Sequence, residues 1–348
     1  MRVLTSLLFV VSACGSSPDV DSGQRIVVFD AGTSAPAEQD SGVNRPTPTP
    51  VADAGSTPRD TGEAADAGAQ PVADAGRPQE RDTGTEPPVV GDAPSYTDRG
   101  QFEVAREELR VQATSECTMT AVRYRPTNPV VRGYALFLHG FARGRSQFLG
   151  WGAHLASHGI ETVVSDLCHA SVSGVDPVAG GEAIDTLIQN IGDTPVVIIG
   201  HSAGSMAALV AGAQNDATVA VLGLDPVAPR EGNLDAQAAD LDGMLAALVG
   251  APSQCNSNNS GVEVYRQGNA SMLTISGATH CDFEAPTNFL CTAACGGSAG
   301  ASAQAAIRQL VTSFAAWKLG LAAAAPWWDE DSASLEGLIN SGQVAPVR

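Results

Sequence analysis

The chain has 348 residues, with 19 basic and 38 acidic side chains and a formal net charge of −19. No basic patch is present that would neutralise phosphates, so nucleic acid is excluded as an expected partner. The length allows more than one structural region, and the composition changes sharply along the chain.

Residues 1–14 have the pattern of an export signal. Arg2 precedes an apolar run over residues 3–11, which is too short to span a bilayer. The run ends in Val11-Ser12-Ala13-Cys14, which resembles the lipobox of bacterial lipoproteins. The resemblance implies a lipid on Cys14 and export to the cell envelope, on the periplasmic or outer-membrane side. The alternative is an ordinary signal peptide that is cut at a nearby small residue.

Residues 15–98 form a second region. They are rich in Pro, Ala, Gly, Asp and Thr, and Asp-Ala-Gly recurs from Asp30, Asp53, Asp66 and Asp74. Such a segment cannot bury enough apolar surface to offset the entropy of ordering, so we predict a disordered tether. A calcium-binding array is the less favoured interpretation, because the repeats are irregularly spaced and no strand-forming residues separate them.

Residues 99–348 are predicted to form one α/β domain. Alternating residues between positions 102 and 124 favour antiparallel strands at a sheet edge. Apolar runs predict buried strands at 133–138, 160–165, 195–200, 219–224, 245–249 and 272–275. Helices are predicted at 148–158, 181–191, 205–214 and 301–319. This alternation indicates a mostly parallel central sheet with helices on both faces.

The segment Gly200-His201-Ser202-Ala203-Gly204 follows a predicted apolar strand directly and opens a predicted helix. This is the context of a nucleophile elbow, in which glycines allow a strained turn that exposes the serine hydroxyl. The motif predicts an α/β-hydrolase fold in which Ser202 is the nucleophile and Gly200, His201 and Gly204 shape the turn. The alternative is a tight strand–helix turn with an incidental serine.

A serine nucleophile needs a base, and in this fold the chain order is Ser, acid, His. His280 is the one histidine after Ser202, and it follows a predicted strand, so we predict it as the base. Asp225 ends the strand after the nucleophile helix and is the predicted acid. Asp242 and Glu263 are the alternatives, since the next predicted strand ends without a carboxylate.

Acyl transfer also needs two backbone N–H groups that stabilise the oxyanion of the transition state. Ala203 follows the nucleophile and is predicted to supply one of them. The other is predicted from Phe141, because His139-Gly140-Phe141 follows the strand predicted at 133–138.

Three of these motifs together carry a family resemblance. Gly-His-Ser-Ala-Gly, Gly-Leu-Asp-Pro-Val at 223–227 and Ala-Thr-His-Cys-Asp at 278–282 resemble the chlorophyllase and polyester-hydrolase branch of the α/β hydrolases. The likeness to chlorophyllases implies Asp225 as the acid. Residues 139–147 are similar to a loop of cutinase-like polyester hydrolases, which implies that Phe141 donates its N–H and covers the bound ester.

Beyond Cys14, the chain has six cysteines: Cys117, Cys168, Cys255, Cys281, Cys291 and Cys295. An even number in an exported chain predicts three disulfides, whose connectivity the sequence leaves open. A metal site on the last three is less favoured because no C-x-x-C pair is present. Likewise, a disulfide at Cys168 is favoured over a nucleophilic thiol. His154 and His158 have the spacing of zinc ligands on a helix, but no third ligand is evident, so we predict surface histidines.

These features predict an exported, lipid-anchored serine hydrolase that cleaves a small or polymeric carboxylic ester without metal or cofactor. We expect a monomer whose partners are the ester and, through Cys14, a membrane. A peptidase or acyltransferase with the same triad is an alternative, because pocket shape decides the substrate. A non-catalytic surface lipoprotein on a hydrolase scaffold is the alternative from another class. Residues 226–268 and 326–348 match no lid or pocket.

Overall fold

A computed structural model describes residues 26–29, 93–171 and 174–347 of the chain. The predicted export signal, the lipidation site Cys14 and most of the predicted tether lie outside these residues. Among the residues that are described, no helix is both long enough and apolar enough to cross a bilayer.

One mixed, mostly parallel sheet forms the centre of the α/β domain. The described strands are β1 (Ile26–Phe29), β2 (Val104–Gln112), β3 (Thr118–Pro126), β4 (Tyr134–Leu138), β5 (Glu161–Ser165), β6 (Ala170–Ser171), β7 (Gly174–Val175), β8 (Val196–His201), β9 (Thr218–Leu224), β10 (Leu245–Val249), β11 (Ser271–Ile275) and β12 (Val344–Pro346). The sheet order is β1-β2-β3-β5-β4-β8-β9-β10-β11-β12, while β6 and β7 pair only with each other. The six strands from β5 to β11 in this order are parallel, whereas β3 and β12 run antiparallel to their neighbours.

Helices cover both faces of this sheet. They are α1 (Leu149–Ser157), α2 (Pro177–Ile191), α3 (Gly204–Gln214), α4 (Asp235–Asp240), α5 (Val262–Gln267), α6 (Phe289–Ala294), α7 (Ala301–Lys318) and α8 (Ala333–Asn340). Apolar side chains of α1 and α7 pack in one core cluster, and those of α2 and α3 pack in a second. The predicted arrangement of a mostly parallel sheet between two helical layers is confirmed.

The central strands are apolar along their whole length because each face of the sheet contacts a helical layer. In β4, Phe137 belongs to the core cluster of α1 and α7, while Leu136 and Leu138 belong to the cluster of α2 and α3. Successive side chains of a strand point to opposite faces, so both faces of β4 are buried. The same pattern predicts β4, β5, β8, β9 and β10, whereas β11, which is also predicted as buried, has Ser271 exposed and two further residues half-buried.

One predicted helix begins earlier in the structure than in the prediction, whereas the ends of the other predicted helices and strands agree within one residue. Helix α2 begins at Pro177, four positions before the predicted start at Gly181. The Asp176 side chain caps it by accepting hydrogen bonds from the backbone N–H groups of Val178 and Ala179, at 3.0 and 3.1 Å. The cap and the proline at the first helical position together explain the earlier start.

The C-terminal residues 326–348, to which sequence gave no role, complete the sheet and one core cluster. Trp328 is buried, and its indole N–H donates to the carbonyl oxygen of Leu310 at 3.0 Å. Helix α8 then leads into β12, which pairs antiparallel with β11. This tail therefore covers one edge of the sheet.

The folded part of the chain begins before residue 99, which corrects the predicted end of the tether. Tyr96 is buried, and its backbone N–H donates to Oε1 of Gln309 in α7 at 2.8 Å. The indole N–H of Trp327 donates to the carbonyl oxygen of Pro94 at 2.9 Å. Strand β1 also falls inside the predicted tether and pairs in parallel with β2. The average composition of residues 15–98 does not reveal these short stretches, which contact the folded domain.

His154 and His158, which the sequence predicts as surface histidines, are half-buried and bind this entering segment. The Nε2 atoms donate to the backbone carbonyl oxygens of Tyr96 and Asp98, at 2.9 and 2.8 Å. The two rings pack edge to face, with centroids 4.9 Å apart, and both are half-buried. Their spacing on α1 serves to hold residues 96–98 against the helix.

We predict that this contact makes the domain sensitive to acid. Burial, with a further contribution from His158, lowers the pKa of His154 from 6.5 to about 4. Between those pH values the unfolded chain binds the proton more readily, so the His154 contribution to stability is complete above pH 6.5 and is lost as the pH falls toward 4. Urea unfolding at both ends of this range should show a smaller loss for His154→Gln than for wild type. Equal losses would contradict the prediction.

Candidate active site

The predicted functional residues meet at one edge of the sheet. Ser202 follows β8, Asp225 follows β9, and His280 lies in a 3-10 helix (His280–Phe283) shortly after β11. His139 and the residues after it follow β4. Because these four strands are parallel, their carboxyl ends lie on the same side, where α/β proteins bind ligands.

Ser202 occupies a strained turn between β8 and α3. Its φ angle is +56°, a left-handed conformation that is costly for a residue with a side chain. The backbone N–H of Ser202 donates to the carbonyl oxygen of Leu224 at 2.9 Å, and its carbonyl oxygen accepts from the N–H of Val227 at 3.2 Å. The serine is therefore tied to both sides of Asp225.

The glycines around Ser202 are required by close backbone contacts. A Cβ atom on Gly200 would lie 2.5 Å from the carbonyl oxygen of Gly204, and one on Gly204 would overlap the carbonyl oxygen of His139. A Cβ atom on Gly140 would lie 2.6 Å from Cβ of Ser202 and 3.1 Å from its Oγ. The loop after β4 thus contacts the serine directly.

Asp225 and His280 form a buried hydrogen-bonded pair. His280 Nδ1 lies 2.6 Å from Asp225 Oδ2, and Asp225 is fully buried whereas 7% of His280 remains exposed. An ionised carboxylate can only accept, so Nδ1 carries the proton and Nε2 of the neutral ring is left as an acceptor. The imidazole is therefore held in the tautomer that a general base needs.

Within the described residues no hydrogen bond joins Ser202 Oγ to His280 Nε2. Such bonds are often long in unliganded enzymes and tighten when substrate binds. The structure brings the predicted base, His280, together with the predicted acid, Asp225, and it brings Ser202 together with the backbone on both sides of Asp225.

Neither alternative acid contacts His280. Asp242 is exposed and accepts a hydrogen bond from the Asn269 side chain at 3.0 Å. Glu263 is exposed in α5 and forms an ion pair with Arg266. Both carboxylates thus lie in surface networks away from the histidine.

His201, which precedes the serine, supports the backbone of His280. Its Nε2 lies 2.9 Å from the His280 carbonyl oxygen and must donate, because a carbonyl oxygen only accepts. Burial, together with the nearby His280, lowers the pKa of His201 well below 6.5. A neutral His201 adds no positive charge beside His280.

Ala203, which is predicted to supply one oxyanion N–H group, directly follows Ser202. Phe141, the predicted source of the other, directly follows Gly140, which contacts Ser202. Among the described residues, neither Phe141 N–H nor Ala203 N–H donates a hydrogen bond. His139 fixes the loop, since its Nδ1 donates to the Gly140 carbonyl oxygen at 2.9 Å and its Nε2 accepts from the Leu167 N–H at 3.0 Å. Phe141 itself is 44% exposed at the surface.

Two ion pairs hold the remainder of this loop. Arg143 binds the buried carboxylate of Glu284 through two hydrogen bonds of 2.5 Å. Glu284 directly follows the 3-10 helix of His280, so this pair joins the loop of Phe141 to the segment of the base. Arg145 pairs with Asp166, which follows β5. Sequence reasoning missed Arg143 and Glu284 because the two are 141 positions apart.

The six described cysteines form three disulfides, as predicted. The pairs are Cys117–Cys168, Cys255–Cys295 and Cys281–Cys291. The described residues hold one cluster with metal-ligand potential, Cys281, Cys291 and Cys295, and all three thiols are consumed by these disulfides. The Cys281–Cys291 bond lies next to the site, because Cys281 follows His280 directly.

A scan of the chain against models of known protein families and a search among curated proteins found no match.

Proposed function

We propose that this chain is a serine hydrolase with the α/β-hydrolase fold that cleaves carboxylic esters. The observation that carries the proposal is the 2.6 Å pair of His280 Nδ1 and Asp225 Oδ2, next to a serine held at φ +56° on a strand–helix turn. A buried acid, an oriented imidazole and a strained serine beyond the carboxyl ends of three parallel strands are the parts that nucleophilic acyl transfer needs.

In the proposed reaction, Ser202 Oγ attacks the ester carbonyl carbon while its proton passes to His280 Nε2. Asp225 stabilises the imidazolium that forms, and the N–H groups of Phe141 and Ala203 stabilise the oxyanion. The tetrahedral intermediate expels the alcohol, which takes the proton from His280. Water then attacks the acyl-enzyme by the same route, which releases the acid and restores Ser202.

We also propose that the chain acts outside the inner membrane, anchored through Cys14. The lipobox-like segment supports the anchor, and the three disulfides support an oxidising compartment. The substrate class proposed is a small-molecule or polymeric carboxylic ester.

A fluorophosphonate probe tests the proposal, because it reacts with activated serines and not with ordinary ones. We expect wild type to be labelled, Ser202→Ala to be unlabelled, and Ser276→Ala to be labelled like wild type. Ser276 is the matched control, since it is exposed in the connection between β11 and His280. An unlabelled wild type would favour a non-catalytic lipoprotein on this scaffold, and equal labelling of Ser202→Ala would contradict Ser202 as the nucleophile.

A further inference from the structure

The Asp225 carboxylate is contacted from a loop that the reaction above does not use. The loop follows β10, the neighbour of β9 in the sheet. From it, the Gly250 backbone N–H donates to Asp225 Oδ1 at 2.8 Å. The Asn256 side-chain amide lies 3.1 Å from Oδ2 and 3.3 Å from Oδ1. Two different groups thus donate to an acid that is fully buried.

We propose that Asn256 is a positioning residue that orients the Asp225 carboxylate toward His280. The inference rests on the function proposed above. A carboxylate in the interior needs donors to remain ionised, and a rotating one would not keep a single oxygen on the imidazole. Because Asn256 spans both carboxylate oxygens, it sets the plane in which Oδ2 meets His280 Nδ1.

The Asn256 side chain is itself held in one orientation. It is completely buried, and its Nδ2 also donates to the carbonyl oxygen of Ala251 at 2.9 Å. Its Oδ1 accepts from the backbone N–H groups of Ser253 and Asn259, at 2.8 and 3.2 Å. The amide cannot be flipped without losing these contacts, so its N–H groups must face Asp225.

The loop of Asn256 is also joined covalently to the segment that follows the base. Cys255 is bonded to Cys295, and Cys291, four positions earlier in that segment, is bonded to Cys281. Asn256 directly follows Cys255, and His280 directly precedes Cys281. The group that orients the acid and the base that receives its hydrogen bond are therefore both adjacent to this pair of disulfides.

The obvious alternative is that Asn256 only shapes its own loop through Oδ1. Asn256→Asp separates the two roles, because it keeps an oxygen for the Ser253 and Asn259 N–H groups but replaces the neutral amide donor with a carboxyl group that competes with His280 for a proton. Asn258→Asp is the matched control, since it adds the same charge two positions away at an exposed site in the same loop.

We expect Asn256→Asp to shift the acid limb of the pH profile of kcat/KM upward by about one to three pH units. Asn256 Nδ2 lies 3.1 Å from Oδ2, and Oδ2 lies 2.6 Å from Nδ1, so the new carboxyl group would stand within about 6 Å of the imidazole. The two carboxyl groups and the imidazole would then compete for one proton, and this moves the loss of that proton to higher pH. Below the shifted limb, kcat/KM should fall about tenfold per pH unit. Asn258→Asp should leave the profile in place.

A folded Asn256→Asp variant with the wild-type profile and rate would overturn the proposal. If that variant does not fold, Asn256→Ser provides the second test: we expect kcat to fall about tenfold or more with KM little changed, because the group acts behind the base. Wild-type kcat in Asn256→Ser would equally overturn it. A wild type without esterase activity would instead refute the proposed function, so the two failures are distinguishable.

Discussion

Replacing Ser202 or His280 with alanine should each lower kcat for ester hydrolysis about a million-fold, and replacing both should lower it no further. The expectation follows from the chemistry of the pair, in which neither the serine nor the imidazole achieves the proton transfer alone. The measurement has particular value here because no hydrogen bond joins Ser202 Oγ to His280 Nε2 within the described residues. Single-turnover kinetics with a chromogenic ester would measure the fall in rate for each of the two single variants and for the double variant.

His169→Asn is the control for this set, because His169 is an exposed histidine and its φ of +58° suits asparagine. It should keep wild-type kcat. If the effects of Ser202→Ala and His280→Ala multiplied in the double variant, the two residues would not act as one unit, and the assigned base would be wrong.

Asp225→Asn should lower kcat about ten-thousand-fold while leaving the domain folded. Gly250 N–H donates to Oδ1 at 2.8 Å, so the amide oxygen of an asparagine would face that donor and its NH₂ would face His280. His280 Nδ1 would then have to accept, which leaves the proton on Nε2. A ring in that tautomer cannot take the serine proton.

The two alternative acids provide the controls for Asp225→Asn. Asp242→Asn and Glu263→Gln change exposed carboxylates that bind other side chains, so both should retain wild-type kcat. Thermal unfolding of all three variants separates loss of function from loss of fold. A large fall in kcat for either control, with Asp225→Asn near wild type, would move the acid to that residue.

The predictable part of the fold is the part in which local sequence and burial agree. Strands such as β4 and β8 are apolar on both faces because helices cover both, and this leaves a continuous apolar run in the sequence. The segment at residues 93–98 and the edge strand β12 are different, because contacts with residues distant in the chain hold them. Tyr96 enters the core as one aromatic residue at the end of a polar stretch, and averaged composition does not detect it.

The candidate site also has residues that the sequence predicts and residues that it does not. Ser202 and His280 could be predicted because the elbow is a local motif and one histidine follows it, and Asp225 because it ends an apolar strand. Asn256 and the Arg143–Glu284 pair could not, since their roles come from partners 31 and 141 positions away. The pairing of the six cysteines was open for the same reason, as any pairing was compatible with the sequence.

The most direct test of Ser202 as the nucleophile of an ester hydrolase is to trap its acyl-enzyme. Wild type would be mixed with a slowly deacylating p-nitrophenyl ester, quenched with acid, digested and analysed by mass spectrometry. The expected result is one acylated peptide, with the added mass on Ser202, formed as fast as the first turnover releases p-nitrophenol. Turnover without any adduct on Ser202, or an adduct on another residue, would contradict the proposed mechanism.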